Sequence, residues 1–192
     1  MPTGRMEAFS DGVIAILITV MVLELGRPEG PTWGDLRHLA PKLLAYLLSF
    51  VYLGIYWNNH HHMLMVTERV GGLVLWANLH LLFWLSLVPF ATDWMAEEHF
   101  VRTPVVVYGV ALLAAAIAYY LLQTAIIRRQ GGDKLAAAVG ADAKGKLSPV
   151  IYAASLALAF VNSWIAVVGY VVVALIWLIP DRRLEHALAA AE

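Results

Sequence analysis

Long apolar runs follow one another along this chain, separated by short segments that carry most of its charges. A helix needs about 20 mostly apolar residues to cross a bilayer. Runs at residues 9–25, 43–66, 71–94 and 104–127 meet this requirement. A fifth stretch, about 33 residues long, exceeds one span, and a turn at Asn162-Ser163 divides it into 147–161 and 164–179. The pattern predicts an all-α membrane protein with six transmembrane helices in a single domain, residues 1–192.

The composition supports a membrane location and excludes several functions. Hydrophobic residues make up 61% of the chain and charged residues 14%, whereas a soluble domain carries roughly 25% charged residues. The formal net charge of -1 argues against a nucleic-acid partner, because phosphate binding needs a concentrated basic surface. There is no cysteine, which excludes disulfides and thiol chemistry.

The charges also predict how the chain is oriented. Asp11 interrupts the entry to the first apolar run and no small-residue cleavage site follows it, so we interpret this run as a retained first helix and not as a signal peptide. With the N-terminus inside, the cytoplasmic segments hold nine Lys and Arg residues and the outer loops hold four. Since cytoplasmic loops are enriched in these residues, both termini are predicted to be cytoplasmic.

Polar side chains inside the predicted spans are concentrated in the first three helices. Such groups are costly in a membrane and usually face protein or water. The last three helices carry almost none, so the first three are predicted to form the functional half and the last three a lipid-facing scaffold. The polar residues of the first three are Ser10, Asp11, Thr19, Asn58, Asn59, His60, His61, His62, Asn78 and His80.

The first helix carries a narrow apolar stripe. Ile16, Val20 and Leu23 stand at i, i+4 and i+7, and therefore share one face. Thr19 projects roughly 60° to one side of Ile16 and borders this stripe. From spacing alone, the favoured interpretation is that the stripe packs on another helix.

Asp11 and Ser10 project roughly 140° and 120° away from Ile16, on opposite sides of the helix. They therefore point towards neighbouring helices while the stripe points elsewhere. A carboxylate within the membrane is expected to be paired. The candidate partners of Asp11 are Arg5, His60, His61 and Asn78.

The run His60–His62 raises the possibility of a metal site. Successive helical residues diverge by 100°, so the three imidazoles cannot all bind one ion, and His80 or Asp11 of another helix would have to contribute. No spacing typical of a zinc site is present. We therefore predict hydrogen-bonded, neutral histidines, no metal, no cofactor, no catalytic residues and no enzymatic activity.

Three short motifs suggest a family. The first helix begins Arg5-Met6-Glu7-Ala8-Phe9-Ser10-Asp11, which has the pattern R-x-x-x-F-S-D. The second contains Tyr56-Trp57-Asn58-Asn59-His60-His61, and the third contains Trp76-Ala77-Asn78 with Pro89-Phe90. Over these three helices the chain resembles the bacterial six-helix members of the family of the lysosomal potassium channel transmembrane protein 175.

The resemblance implies a homotetramer in a bacterial inner membrane, with a potassium-permeable pore formed by the first helices and no conventional filter loop. It matches Ile16, Val20 and Leu23 to rings of apolar side chains at the constriction, and Thr19 to a hydroxyl-bearing position. It also implies a network that supports the pore helix. The residues matched to this network are Arg5, Phe9, Ser10, Asp11, His60, His61 and Asn78.

On this basis the stripe is predicted to line a pore that passes monovalent cations, potassium over sodium by a modest margin. Glu24 follows Leu23 and is a candidate for concentrating cations at the outer mouth. One alternative is a proton-coupled transporter or proton-permeable channel that uses Asp11 and the membrane histidines. The other is a membrane enzyme with a metal at His60, His61 and His80. The predicted partners are other copies of the chain, the bilayer and the permeant ions.

Overall fold

The computed structural model describes residues 3–65, 67, 70–129 and 143–178. Every regular element in these ranges is a helix. In chain order the helices are α1 Gly4–Glu24, α2 Trp33–His38, α3 Ala40–Met65, α4 Gly72–Ser86, α5 Val88–Glu97, α6 Arg102–Arg129, α7 Ala143–Ala159 and α8 Ser163–Leu178.

Within these ranges, four helical stretches are long and apolar enough to span a membrane. They are α1, α3, α4 with α5, and α6, and each overlaps one of the first four predicted spans. Helix α8 is apolar but has 16 residues, and α7 has 17, which gives lengths of about 24 and 26 Å. The hydrocarbon core of a bilayer is about 30 Å thick, and the number of six spans stays a prediction.

Two of the predicted helix boundaries differ from those in the structure. The third predicted span is two helices, α4 and α5, because the chain turns at Leu87 and Pro89 follows near the start of α5. Proline has no N–H to donate and clashes with the preceding turn, so the helix ends before it. Helix α7 begins at Ala143 and places Pro149 in its interior, whereas the sequence predicted a start at residue 147.

Some predictions concern residues outside the described ranges. They are the end of the second predicted span at residue 66 and the end of the sixth at residue 179.

Helix α1 packs on α3, α4 and α5, on one side of the bundle. The rest of the bundle is built from α4 against α6, α3 against α5 and α8, and α7 against both α6 and α8. The short helix α2 lies before α3 and begins with a capping box, in which Thr32 and Asp35 bond each other's backbone N–H. Among the described residues, one side of α1 has no helix packed against it.

The bundle of α3, α6, α7 and α8 has a core of tyrosines, namely Tyr52, Tyr108, Tyr152 and Tyr170, all almost fully buried. The Tyr52 hydroxyl donates to the Tyr170 carbonyl, and the Tyr170 hydroxyl donates to the Val105 carbonyl at 3.2 Å. Buried Ser148 and Ser155 add further hydroxyls in α7. The sequence-based description of the last three helices as almost free of interior polar groups therefore missed this hydroxyl-rich core.

Candidate functional site

Helix α1 has one buried face and one exposed face. The buried side chains recur at intervals of three and four residues, so they form one face of the helix, and that face packs on α3, α4 and α5. The buried residues of α1 are Met6, Ser10, Ile14, Leu17 and Met21.

The predicted stripe lies on the opposite, exposed face. Ile16 is 61% exposed, Val20 37% and Leu23 78%, so the part of the chain that the structure describes does not enclose these side chains. Thr19 is exposed beside them, and its hydroxyl donates to the Ile16 carbonyl at 2.8 Å. A continuous apolar surface of this kind marks a contact with another molecule or with lipid.

A chain of hydrogen bonds connects α1 to α4 and α3. The Asn78 amide donates from Nδ2 to Ser10 Oγ at 2.9 Å, and Asn78 Oδ1 lies 2.7 Å from His60 Nε2. The Ser10 hydroxyl in turn donates to the Met6 carbonyl at 2.8 Å. All three side chains are buried, so the structure brings together three of the seven residues that the resemblance assigned to a support network.

The direction of these bonds indicates which ring nitrogen of His60 carries a proton. Because Asn78 uses its amide N–H toward Ser10, its carbonyl oxygen faces His60, and Nε2 of His60 must be the donor. The other ring nitrogen, Nδ1, is buried without a hydrogen-bond partner. A neutral imidazole with its proton on Nε2 therefore satisfies the network.

Asp11 and His61 bind partners that the sequence analysis did not name. Asp11 Oδ1 accepts a hydrogen bond from the Trp57 indole N–H at 3.0 Å. His61 Nδ1 lies 3.0 Å from Glu7 Oε1, and the His61 ring stacks on Trp57. Two carboxylates of α1 therefore form polar contacts with side chains on one face of α3. Glu7 precedes Asp11 by four residues and Trp57 precedes His61 by four, so spacing places each pair on one face of its own helix; it does not show that the two faces meet.

Arg5 and Phe9 lie elsewhere. Both are exposed, and they project within roughly 20° of Ile16, on the same side of α1 as the stripe. The structure therefore does not place them with Ser10, His60 and Asn78 inside one chain.

Glu24 is the last residue of α1 and is exposed. Beside it, Lys42 of α3 and Asp93 of α5 form an ion pair of 3.3 Å. All three line a small cavity of about 10 Å³ between α1, α3 and α5. Two carboxylates and one ammonium group therefore surround this end of α1.

The three histidines considered for a metal site are separated by their partners. His60 is bonded to Asn78, His61 to Glu7, and His80 accepts from the Trp84 indole at 2.9 Å. Among the residues that the structure describes, no group of three or more His, Cys, Asp or Glu side chains is placed to hold a metal ion.

Comparison with known proteins identifies a matching family and several similar proteins. Residues 5–89, which include all but the first residue of α1 and the whole of α2, α3 and α4, match the family model of the endosomal/lysosomal potassium channel TMEM175. A potassium channel of Chryseobacterium sp. is 52% identical over 189 residues, which cover 98% of each chain. A potassium channel of Chamaesiphon minutus is 35% identical over 181 residues, covering 86% of this chain and 88% of that protein.

A solved structure agrees with the fold. The crystal structure of a lysosomal potassium-selective channel TMEM175 homolog from Chamaesiphon minutus superposes with a TM-score of 0.80 at 32% identity. The match covers 93% of this chain and 97% of that one. The similarity therefore extends through α6, α7 and α8, where the short sequence motifs gave no information.

Proposed function

We propose that this chain, which belongs to the family of the endosomal/lysosomal potassium channel TMEM175, is a potassium-permeable channel whose ions pass a constriction of apolar side chains on α1. Its bacterial relatives are named potassium channels, and these names support a cation channel in a membrane. The constriction, the oligomer and the roles of single residues are our proposal.

The observation that carries the proposal is the uncovered stripe of α1. Ile16, Val20 and Leu23 are exposed, while the opposite face of the same helix is buried and tied to α3 and α4 by Ser10 and Asn78. One copy of α1 cannot enclose a pathway. Several copies around a closed symmetry axis can do so, with the same residues facing the axis from each subunit. Four copies is the number that the family resemblance implies.

Selectivity in such a pore comes from the cost of removing water from the ion. A ring of Ile, Val and Leu side chains offers no oxygen ligands and favours dewetting of the axis. Thr19 supplies a hydroxyl oxygen next to the stripe; its proton is used by the Ile16 carbonyl, so its lone pairs are available to a cation. We expect modest discrimination of potassium over sodium.

The proposal includes an orientation. The excess of Lys and Arg in alternate loops favours cytoplasmic termini in a bacterial inner membrane. The end of α1 at Glu24 is then the outer mouth, where the Glu24 carboxylate attracts cations; Asp93 beside it is paired with Lys42. Reporter fusions after residues 130 and 183 test this: both are expected to report a cytoplasmic location, and a periplasmic signal from either one contradicts the orientation.

The function is tested by potassium flux from liposomes that contain the purified protein. Efflux down a potassium gradient is expected with and without an imposed proton gradient, because a channel needs no coupled ion. Flux that requires the proton gradient would replace this proposal with the proton-coupled transporter. Protein-free liposomes are the control.

A further inference from the structure

Helix α4 carries a row of large side chains that the described part of the chain leaves uncovered. Leu73, Trp76, His80 and Phe83 stand at i, i+3, i+7 and i+10 and are all exposed, Trp76 by 73%. They project roughly 140–160° away from Asn78, which bonds α1 and α3. This surface, the α4 row, therefore faces away from α1 of the same chain.

One member of the α4 row does not suit a lipid surface. His80 lies about 12 Å into the membrane-spanning stretch Gly72–Glu97, at a depth where a polar side chain normally faces protein or water. Its Nε2 accepts a hydrogen bond from the Trp84 indole at 2.9 Å, so the proton of the neutral ring is on Nδ1. Acyl chains offer no acceptor to this N–H, which favours a protein partner on the α4 row.

Helix α1 has a complementary row of small residues. Ala8, Gly12 and Ala15 are exposed and project roughly 40–100° from Ile16, on the flank away from the buried Ser10. A Cβ added at Gly12 would meet no heavy atom within 4 Å. Small residues allow a second membrane helix to approach closely. We call this surface the α1 row.

The two rows lie at the same depth. Helix α1 runs parallel to α4 and α5, because Ser10 bonds Asn78 near one end and Glu24 lines one cavity with Asp93 at the other. The offset in residue number is 68 at the first contact and nearly the same at the second. The residues at equal depth are Ala8 with Trp76, Gly12 with His80, and Ala15 with Phe83.

A closed ring of copies would bring the two rows together. Rotation about the membrane normal leaves the depth of every residue unchanged, and it presents the same surfaces at each contact. When Ile16 faces the axis, α4 lies on one flank of each α1 and the α1 row lies on the other. Around the ring, the α4 flank of one copy then faces the α1 row of the next.

We propose that the α4 row of one copy packs against the α1 row of the next, with His80 beside Gly12. The inference rests on the proposed function, since it takes the stripe to face the axis. Each pore helix is then held on both flanks, by α4 of its own chain and by α4 of the neighbouring copy. Asp11, next to Gly12, uses Oδ1 for Trp57, and its Oδ2 is the acceptor for the His80 Nδ1–H of the neighbouring copy.

Disulfide trapping tests this contact directly, because the chain contains no cysteine. A disulfide forms when two Cα atoms are about 4.4–6.8 Å apart. Ala15→Cys with Phe83→Cys places one thiol on each row at equal depth, and mild oxidation in membranes should give covalent multimers on a denaturing gel. When the two single variants are co-expressed, the links should stop at dimers, since each copy then carries one thiol.

The control pair is Ala8→Cys with Phe83→Cys, whose levels differ by seven helical residues, about 10 Å. This pair should not form multimers, and neither should the single variants expressed alone. If the level pair gives no multimers, or if the control pair gives as many, the contact is wrong.

A second variant tests the contact without added thiols. Gly12→Leu fills open space in a single chain but occupies the position proposed for His80 of the neighbouring copy. Its circular dichroism should match that of the parent protein, while gel filtration in detergent should show smaller oligomers. Gly54→Leu is the control, since a Cβ at this α3 position also meets no atom within 4 Å, and it should keep the parent size. An unchanged oligomer in Gly12→Leu would contradict the contact.

The liposome assay of the parent protein separates this inference from the proposed function. Multimers trapped by the level pair, with no potassium flux in the parent protein, would support the contact and overturn only the channel. Potassium flux without trapped multimers would support the channel and overturn the contact.

Discussion

The two sides of the molecule hold their helices together in different ways. On the side of α1 and α4, a few polar side chains bond directly to one another across helices, as Ser10, Asn78 and His60 do; we call this the network side. Where α3 meets α6, α7 and α8, the Tyr152 ring packs against the rings of Tyr52 and Tyr170, and the Tyr52 and Tyr170 hydroxyls bond backbone carbonyls; we call this the tyrosine side.

The difference explains how one helix keeps a free face. On the tyrosine side the helices approach so closely that Cβ atoms added at Gly109 and Gly169 would lie 1.9 Å from Tyr170 Oη and 2.0 Å from Ser155 Oγ. On the network side, directional bonds at Ser10 position α1 from one face only, so the opposite face with Ile16 stays uncovered. The tyrosine side should therefore respond to substitutions through stability, and the exposed face of α1 through conduction.

The largest loss of stability is expected for Gly109→Ala. Besides the Tyr170 hydroxyl, the new methyl group would lie 2.6 Å from Tyr170 Cζ, and this ring is fully buried, so α6 and α8 must move apart. Overpacking of this kind costs about 1–3 kcal/mol and occasionally more, and contacts of 1.9, 2.6 and 2.8 Å at one added Cβ place Gly109→Ala at the upper end of this range. Thermal unfolding in detergent is the measurement, with Gly54→Ala as the control because no atom lies within 4 Å of its added Cβ. Equal melting temperatures for the two variants would contradict the close approach.

A smaller loss is expected when the network side is broken at its centre. Asn78→Leu keeps the volume but leaves the His60 Nε2–H buried without an acceptor, next to an Nδ1 that already lacks a partner. An unpaired buried donor costs about 1–3 kcal/mol. The control is Thr124→Ala, which removes a hydroxyl bonded only to its own helix, at the Tyr120 carbonyl. If the two variants unfold at the same temperature, the hydrogen bond between His60 of α3 and Asn78 of α4 does not contribute to the stability of the fold.

Local patterns predicted the network side better than the tyrosine side. Spacing on α1 placed Ser10 off the stripe, and the structure buries it; the family motifs then supplied His60 and Asn78. Helical spacing does not reveal which side chains on different helices meet, so the Trp57 partner of Asp11 was not predicted. Tyrosine counts as a hydrophobic residue in the apolar runs, so the hydrophobic pattern does not reveal the bonded hydroxyls of Tyr52 and Tyr170.

The smallest effect is expected in α2, which belongs to neither side and serves as a baseline. Hydrogen bonds from the Thr32 hydroxyl, and then from its backbone N–H, hold the pKa of Asp35 below its ordinary value. A carboxyl whose pKa is lower in the folded state stabilises above its unfolded pKa, and this contribution is lost as the pH falls through the folded pKa. Amide hydrogen exchange at residues 33–38, corrected for intrinsic rates, should show less protection at pH 3 than at pH 6.

In Thr32→Val, the difference in α2 protection between pH 6 and pH 3 should be smaller than in the parent protein. The variant lacks the hydroxyl that lowers the Asp35 pKa. Protection that falls by the same amount in both proteins would show that the capping box does not cause the pH dependence. Neither result should alter the melting behaviour of the tyrosine side.

The central claim, that the uncovered stripe of α1 lines the pore, is tested most directly by ion selectivity in Ile16→Asn. Val22→Asn is the matched control: Val22 is also exposed, so neither variant buries an amide within its own chain, but it projects roughly 120° from Ile16. An amide at the constriction wets it and lowers the cost of stripping water from the ion. Potassium and sodium fluxes are measured in liposomes for both variants and the parent protein.

The account predicts that Ile16→Asn raises flux and reduces the discrimination between potassium and sodium, while Val22→Asn resembles the parent protein and both variants keep its oligomeric size. If selectivity is unchanged in Ile16→Asn, or if Val22→Asn gains as much flux, the stripe does not line the pore.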